Sequence, residues 1–97
     1  MNFNIEKPRN RILQMAHKLI NGERHNTYGE AKDNWSTISA HWTEILGHEV
    51  DASQCCLCMA SVKMARLRHS PDHLDSFADA IGYMALAYEL MLEERDA

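Results

Sequence analysis

Residues 70–83, with the sequence SPDHLDSFADAIGY, decide the fold that is expected for this chain. Ser70 and Pro71 are typical of the start of a helix, so a helix is predicted from Pro71. Asp75 and Asp79 then lie four residues apart on one face of an otherwise largely apolar segment. Because a carboxylate is costly to bury without a cation or a donor, these two acids are the first candidates for a functional site.

Outward from this stretch, the spacing of apolar residues predicts four amphipathic or apolar helices. The first covers residues 8–20, the second runs from Glu30 or Ala31 to Leu46, the third follows a cap at Asp51 or Ser53 and runs to about Arg68, and the fourth ends near Glu94. Asn21-Gly22 is a typical stop signal, and residues 22–29 have the composition of a loop. The predicted fold is an all-α four-helix bundle.

One domain is expected over residues 1–97, with flexible segments at 1–7 and 94–97. The third and fourth helices are apolar nearly all round, which is more apolar surface than a monomer of 97 residues can hide. We therefore expect oligomerisation to complete the bundle, as a homodimer or homotetramer.

The net charge and the lengths of the apolar runs argue against two kinds of partner, a nucleic acid and a membrane. The net charge is −4 with neutral histidines, which argues against a nucleic-acid partner, since such proteins usually carry a basic face. No apolar run approaches the roughly 18–20 residues that span a bilayer, and the first residues lack an apolar signal core. A cytoplasmic protein without a membrane partner is expected.

Cysteine and histidine patterns indicate no familiar site. Cys55, Cys56 and Cys58 are too close together and odd in number for a disulfide framework, and they do not match zinc-binding pairs. They are interpreted as small apolar side chains. His69 and His73 flank the Ser-Pro break and are interpreted as cap or surface residues, with zinc binding as the alternative.

Polar side chains on three predicted helices could meet inside the bundle. The candidates are Asp75 and Asp79 from the fourth helix, Glu30, Asp33 and Asn34 from the start of the second, and Lys63 and Arg66 from the third. Oxygen ligands beside cations suit Mg²⁺ bound together with a phosphorylated ligand. The alternative is that Lys63 or Arg66 pairs with Asp75 or Asp79 in a buried salt-bridge network.

The predicted loop is a second candidate for ligand contact. It places Arg24, Thr27 and Tyr28 between two glycines, and the side chain of Arg24, that of Thr27 and the backbone near Gly29 could contact a phosphate or a sugar. The alternative is a solvated connector in which Tyr28 covers the core.

Five short motifs together resemble a family of small phage and prophage proteins of unassigned function, over roughly residues 12–90. They are Gly22-Glu23-Arg24, Thr27-Tyr28-Gly29, Asn34-Trp35, Lys63-x-Ala65-Arg66-Leu67 and Asp75-Ser76-x-x-Asp79-x-x-Gly82-Tyr83. That family is distantly similar to the all-α nucleoside triphosphate pyrophosphohydrolases, the MazG and dimeric dUTPase group, and to phage nucleotide-modification-associated proteins. The resemblance implies a MazG-like bundle and Mg²⁺-dependent cleavage of a nucleoside triphosphate to monophosphate and pyrophosphate.

By position, Asp75 and Asp79 match the acidic pair of those enzymes, and Lys63 and Arg66 match a basic segment before it. Their Glu-x-x-Glu pair is replaced here by Glu30-x-x-Asp33, which weakens the carboxylate set. The departure favours nucleotide binding over turnover.

Three hypotheses follow. The first is a pyrophosphohydrolase with Asp75, Asp79 and Glu30 as catalytic residues and Mg²⁺ ligands. The second is a non-catalytic protein that binds or sequesters a nucleotide, for example a host signalling nucleotide, with the candidate contacts Arg24, Thr27, Tyr28, Asn34, Lys63, Arg66 and Tyr83. The third is a helical interaction module in which the charged pairs are internal salt bridges.

Overall fold

Five α-helices and one π-helical turn form the computed structural model, which describes residues 4 and 6–96 except for the side chains of Glu23 and Arg24. The elements are α1 (Pro8–Lys18), the π turn (Leu19–Glu23), α2 (Arg24–Tyr28), α3 (Ala31–Leu46), α4 (Ala52–His69) and α5 (Leu74–Asp96). These residues include no strand. The all-α prediction is confirmed, and its four helices correspond to α1, α3, α4 and α5.

The structure describes most of the C-terminal segment that was expected to be flexible, but only part of the N-terminal one. Of the segments that were expected to be flexible, residues 1–3, 5 and 97 lie outside the described part of the chain. At the other end α5 continues to Asp96, so Glu94 is helical although the sequence pattern placed it in a loose tail.

The core lies where α4 and α5 pack together, which is the most extensive contact between elements. A connection of only four residues joins these two helices, so they run antiparallel. The buried cluster contains Trp35 from α3 and small or aliphatic residues of α4 and α5: Ala52, Cys55, Cys56, Leu86, Ala87 and Leu90. The apolar interpretation of the cysteines is confirmed for Cys55 and Cys56, which are buried, whereas Cys58 is exposed. Burial raises the pKa of the Cys55 thiol.

The segment between α1 and α3 is helical, so the predicted stop at residues 21–22 and the predicted loop at 22–29 were wrong. The Asn21 side-chain amide donates to the His17 carbonyl at 3.0 Å instead of ending the helix. Ile20 packs against buried Gly82 on α5, where an added Cβ would lie only 3.1 Å from Ile20 Cγ2. This contact holds the segment on α5 and outweighs the local stop signal.

Helix α5 begins at Leu74 and not at Pro71 as predicted. The backbone turns first, with the His73 N–H donating to the Ser70 carbonyl at 3.1 Å. His73 Nδ1 then accepts from the Ser76 N–H at 3.3 Å and lies 2.7 Å from the Ser76 hydroxyl. The interpretation of His73 as a cap residue is therefore confirmed, and the role expected for Ser70 passes to it.

The apolar stripe predicted on the second helix is only partly buried. Trp35 is almost fully buried, and Ile38 and Trp42 pack against the core cluster, but Ile45 is 79% exposed and Leu46 is also exposed. The last turn of α3 therefore extends beyond the core. It ends at Gly47, whose φ of +66° favours glycine.

The start of α4 is held by two carboxylates, one local and one distant. The Asp51 carboxylate accepts from the Gln54 N–H at 2.8 Å, while the Gln54 side chain accepts from the Asp51 N–H at 3.0 Å, which is a capping box. From the end of α5, the Glu94 carboxylate accepts from the Ser53 N–H at 3.1 Å and from the Ser53 hydroxyl at 3.3 Å. Glu94 thus joins the end of α5 to the beginning of α4.

No helix in the described part of the chain could cross a bilayer.

We expect Glu94→Ala to lower the free energy of unfolding by about 1–2 kcal/mol, because a cap and a charge-assisted hydrogen bond are both lost. Urea denaturation followed by circular dichroism measures this change. Glu89→Ala is the matched control, since Glu89 is an exposed acid of the same helix. Equal midpoints for the two variants would contradict a capping role for Glu94.

Candidate functional site

Three adjoining clefts surround the π turn. Leu19 lines the first and third clefts, Ile20 the first and second, and Asn21 the second and third. Their volumes are about 290, 610 and 720 Å³ respectively. A π-helical turn is uncommon and is often found where a protein binds or reacts. The π turn therefore directs attention to the polar residues that line these clefts.

The first cleft combines aromatic and polar side chains. Its lining includes Thr27 and Tyr28 from α2, and Asp79 and Tyr83 from α5. The Tyr83 ring stands edge-on to the ring of Trp35, with centroids 5.9 Å apart and an interplanar angle of 88°. Since Trp35 is buried, this contact fixes the position of Tyr83, whereas Tyr28 is 58% exposed at the rim. The cleft thus places hydroxyl and carboxylate groups between aromatic and aliphatic surfaces.

Asp79 forms an ion pair with Lys63, whose Nζ lies 3.1 Å from Asp79 Oδ2. Both side chains are largely shielded from solvent, with 16% of Lys63 and 29% of Asp79 exposed. The salt-bridge alternative is thus confirmed for this pair. Asp79 also lines the third cleft together with Asp75, Lys18 and His17. Among the predicted site residues whose side chains the structure describes, Asp79 is therefore the one that the first and third clefts share.

Glu30 lies apart from the two aspartates. It lines the second cleft with Asn34 and His25, and its carboxylate is 3.9 Å from His25 Nε2. In the described part of the chain no three His, Cys, Asp or Glu side chains come close enough together to hold a metal ion. The Mg²⁺ site stays a prediction, and of its three predicted ligands Asp75 and Asp79 share a cleft.

Two predicted cations fall outside this arrangement. Arg66 is exposed on α4 and is not among the described residues that line the three clefts. The side chain of Arg24, at the start of α2, lies outside the described part of the structure. Sequence reasoning missed Lys18, His17 and the π turn itself. The signal that could have indicated the π turn is Gly82, a glycine inside an otherwise apolar helix, which is typical of a close approach by another element.

The described part of the chain is thus a small helical protein in which aromatic and acidic side chains of α5 line clefts together with residues of a π turn. The chain belongs to the DUF6378 family, described as a domain of unknown function, whose model matches residues 11–91. Together with the phage relatives described next, this match confirms the resemblance to small phage proteins of unassigned function.

Two relatives are proteins of mycobacteriophages. The Gene 55 protein of Mycobacterium phage D29 is 35% identical over 72 residues, which cover 74% of this chain and 48% of that protein. The Gene 55 protein of Mycobacterium phage L5 is 32% identical over 84 residues, which cover 86% of this chain and 54% of that protein. The chain thus spans about half the length of these curated relatives. No solved structure matches it, and the likeness to the MazG group stays a prediction.

Proposed function

We propose that this protein binds a nucleotide, with the base in the first cleft. The observation that carries the proposal is the carboxylate of Asp79, held by Lys63 in a cleft that Tyr28 and Tyr83 also line. Aromatic side chains provide flat apolar surfaces on which a base can stack. A carboxylate accepts hydrogen bonds from the ring or exocyclic N–H groups of a base.

The size of the cleft supports a base and sugar and not a whole nucleoside triphosphate. Its volume of about 290 Å³ is at the lower limit of the roughly 300–1,000 Å³ that is usual for ligand pockets. The phosphates would extend outward past the Thr27 hydroxyl at the cleft lining, in the direction of α2, where Arg24 is the predicted phosphate contact. Lys63 would contribute to binding by holding the Asp79 carboxylate in position. Asn34 lines the neighbouring second cleft.

We expect Asp79→Asn to weaken nucleotide binding by roughly ten- to a hundredfold, the loss of one hydrogen bond to a charged group. The measurement is a thermal-shift panel of nucleotides, with and without Mg²⁺, followed by titration of any nucleotide that stabilises the wild-type protein. Asp33→Asn is the control, because Asp33 is an exposed acid of α3 that lines none of the three clefts.

A nucleotide that stabilises wild-type protein and both variants equally would place binding elsewhere. If no nucleotide shifts the wild-type melting curve, nucleotide binding is excluded and a helical interaction module is the function that is left.

Hydrolysis is a second candidate, and the shared cleft of Asp75 and Asp79 is the observation that favours it. Mg²⁺ is often held by one or two carboxylates together with substrate phosphates, so the metal would have to be bound jointly with the nucleotide. In this alternative the phosphates would lie in the third cleft, where Asp75 and Asp79 would hold the metal and the metal would supply charge neutralisation. Glu30, the third predicted ligand and catalytic residue, lies in another cleft. Release of pyrophosphate from a bound nucleotide, lost in Asp75→Asn while binding persists, is the test.

The proposal also covers the domain organisation, the oligomeric state and the location of the protein. We infer that residues 1–97 act as one domain, that the chain forms a homodimer or homotetramer, and that it works in the cytoplasm, that of the host if a phage encodes it. The phage origin of the relatives and the exposed apolar residues of α4 and α5 support this inference. Sequestration of a host nucleotide is the non-catalytic form of the function.

A further inference from the structure

A regular apolar seam runs along the outer face of α5. Its members recur at alternating intervals of three and four residues: Leu74, Phe77, Ile81, Met84, Tyr88 and Met91. This alternation is the spacing at which one helix packs along another in a coiled coil. We call these six residues the α5 seam.

Most of the seam lies at the surface of the protein, and Tyr88 at its edge also lines the second cleft. Met84 is 52% exposed and Tyr88 is 64% exposed, while Leu74 and Phe77 are exposed to about 40% (42% and 39%). The opposite face of α5 is buried against the other helices through Ala78, Gly82, Leu86 and Leu90. Since the helix already has its own core face, the seam is a second apolar face, and four of its six residues are exposed in the described part of the chain.

We propose that the α5 seam is the surface on which a second copy of this chain docks, with the two α5 helices antiparallel. This inference rests on the proposed self-association and is independent of nucleotide binding. Three observations carry it: the area of the seam, the match of its two ends, and the distribution of charge along α5.

The area is large enough for a dimer. Because a large apolar side chain has on the order of 200 Å² of surface, the exposed parts of the seam amount to roughly 500 Å² in each copy. Two copies would bury about 1,000 Å², which is the lower limit for a specific interface. Ala80 and Ala85 flank the seam, and such small side chains let two helices approach closely.

The seam is symmetric about its centre, so an antiparallel copy brings complementary residues together. Ile81 would lie opposite Met84, Leu74 opposite Met91, and Phe77 opposite Tyr88. The last pairing places two aromatic rings side by side on each side of the central pair, inside the outer Leu74–Met91 pairs, an arrangement that adds to the free energy of burial.

Charge also favours the antiparallel orientation. The end of α5 is acidic, with Glu89, Glu93, Glu94 and Asp96 against the single base Arg95. A parallel dimer would bring two such ends together, and like charges repel.

The other end of the hairpin is mixed in charge. The last turn of α4 carries Arg66 and Arg68, while Asp72 lies in the connection and Asp75 in the first turn of α5. An antiparallel copy would therefore place the acidic end of one α5 helix near two arginines of its partner. In this position exposed Arg66 would contribute to the dimer interface, although it lines none of the three clefts.

The first experiment measures the mass of the protein in solution by sedimentation velocity across a range of concentrations. We expect wild-type protein to form dimers or larger even-numbered assemblies. The double variant Met84→Glu, Tyr88→Glu should raise the dissociation constant at least a hundredfold, since it places carboxylates in the centre of the interface. Both residues are exposed, so the circular dichroism spectrum should not change.

Two controls locate the interface. Ile45→Glu and Val62→Glu each place one carboxylate at an exposed apolar position, on α3 and α4 respectively, and should leave the mass unchanged. A monomeric wild-type protein would overturn self-association itself. Dimers that survive the seam variant, or that dissociate in Val62→Glu instead, would overturn the seam while leaving self-association standing.

The second experiment tests the orientation by oxidation of introduced cysteines in a Cys58→Ser background, which removes the exposed native thiol. Phe77→Cys and Tyr88→Cys are made in separate chains of different mass. Antiparallel packing predicts a disulfide between the two chains only when they are mixed. Cross-linking of Tyr88→Cys to itself would show a parallel dimer and overturn the proposed orientation.

Discussion

Replacing Trp35 with alanine should lower the free energy of unfolding by about 3–5 kcal/mol, the cost of removing a large buried aromatic side chain. Trp35 is only 2% exposed and joins α3 to residues of α4 and α5 in the core cluster. A domain of this size has a total stability of roughly 5–15 kcal/mol, so the variant should be largely unfolded or close to it. Urea denaturation monitored by circular dichroism gives the difference.

Two variants of α3 provide a graded comparison. Trp42→Ala should cost less than Trp35→Ala, because Trp42 is only partly buried against the core. Ile45→Ala should change stability by less than about 0.5 kcal/mol, as is usual for surface positions, since Ile45 is 79% exposed. Equal losses for Trp35→Ala and Trp42→Ala would contradict the central position assigned to Trp35. Where Trp35→Ala stays folded, Tyr83 loses its edge-on partner and nucleotide binding should weaken too.

Gly82→Val should destabilise the protein by about 1–3 kcal/mol, the usual cost of adding methyl groups to a packed interior. A Cβ at residue 82 would already lie 3.1 Å from Ile20 Cγ2, and the two methyl groups of valine extend further. The π turn must then move away from α5. Because its residues line all three clefts, we expect ligand binding to be lost in this variant even at temperatures where it is folded.

Gly22→Ala is the matched control for this effect. Gly22 lies in the π turn itself, but no atom lies within 4 Å of a Cβ added there. Alanine should therefore be neutral or stabilise the turn by up to about 1 kcal/mol, because it restricts the unfolded chain. Thermal melts of the two variants, with and without ligand, separate a steric effect at Gly82 from a general sensitivity of the π turn. Equal melting temperatures for both would contradict the close packing of Ile20 on Gly82.

The four long helices could be predicted from the sequence because α1 and α3 have apolar residues at helical spacing, and α4 and α5 are long apolar segments separated by a Ser-Pro break. The cap at Asp51 was accessible for the same reason, as its partner Gln54 is three residues away. The π turn could not be predicted, since Asn21 and Gly22 carry a local stop signal. The contact that overrides this signal comes from Gly82 on a distant helix.

The candidate site likewise has one feature that the sequence could suggest and one that it could not. The ion pair between Lys63 and Asp79 was one of two alternatives left open by the sequence, and only the packing of α4 on α5 decides for it. The expected meeting of Glu30 with Asp75 and Asp79 depended on how α3 approaches α5. Spacing within a helix contains no information on that approach, and the structure places Glu30 in a separate cleft.

The four-residue connection between α4 and α5 has a consequence for the order in which the protein folds. Contacts between these two helices are close in sequence, so the hairpin closes a short loop at little entropic cost and can form early. The π turn, by contrast, emerges from the ribosome before α5 but docks on Gly82 of that helix. We therefore expect the segment from α1 to α3 to dock only once α5 has formed. The clefts should form after the α4–α5 hairpin, because residues of α5 line all three of them.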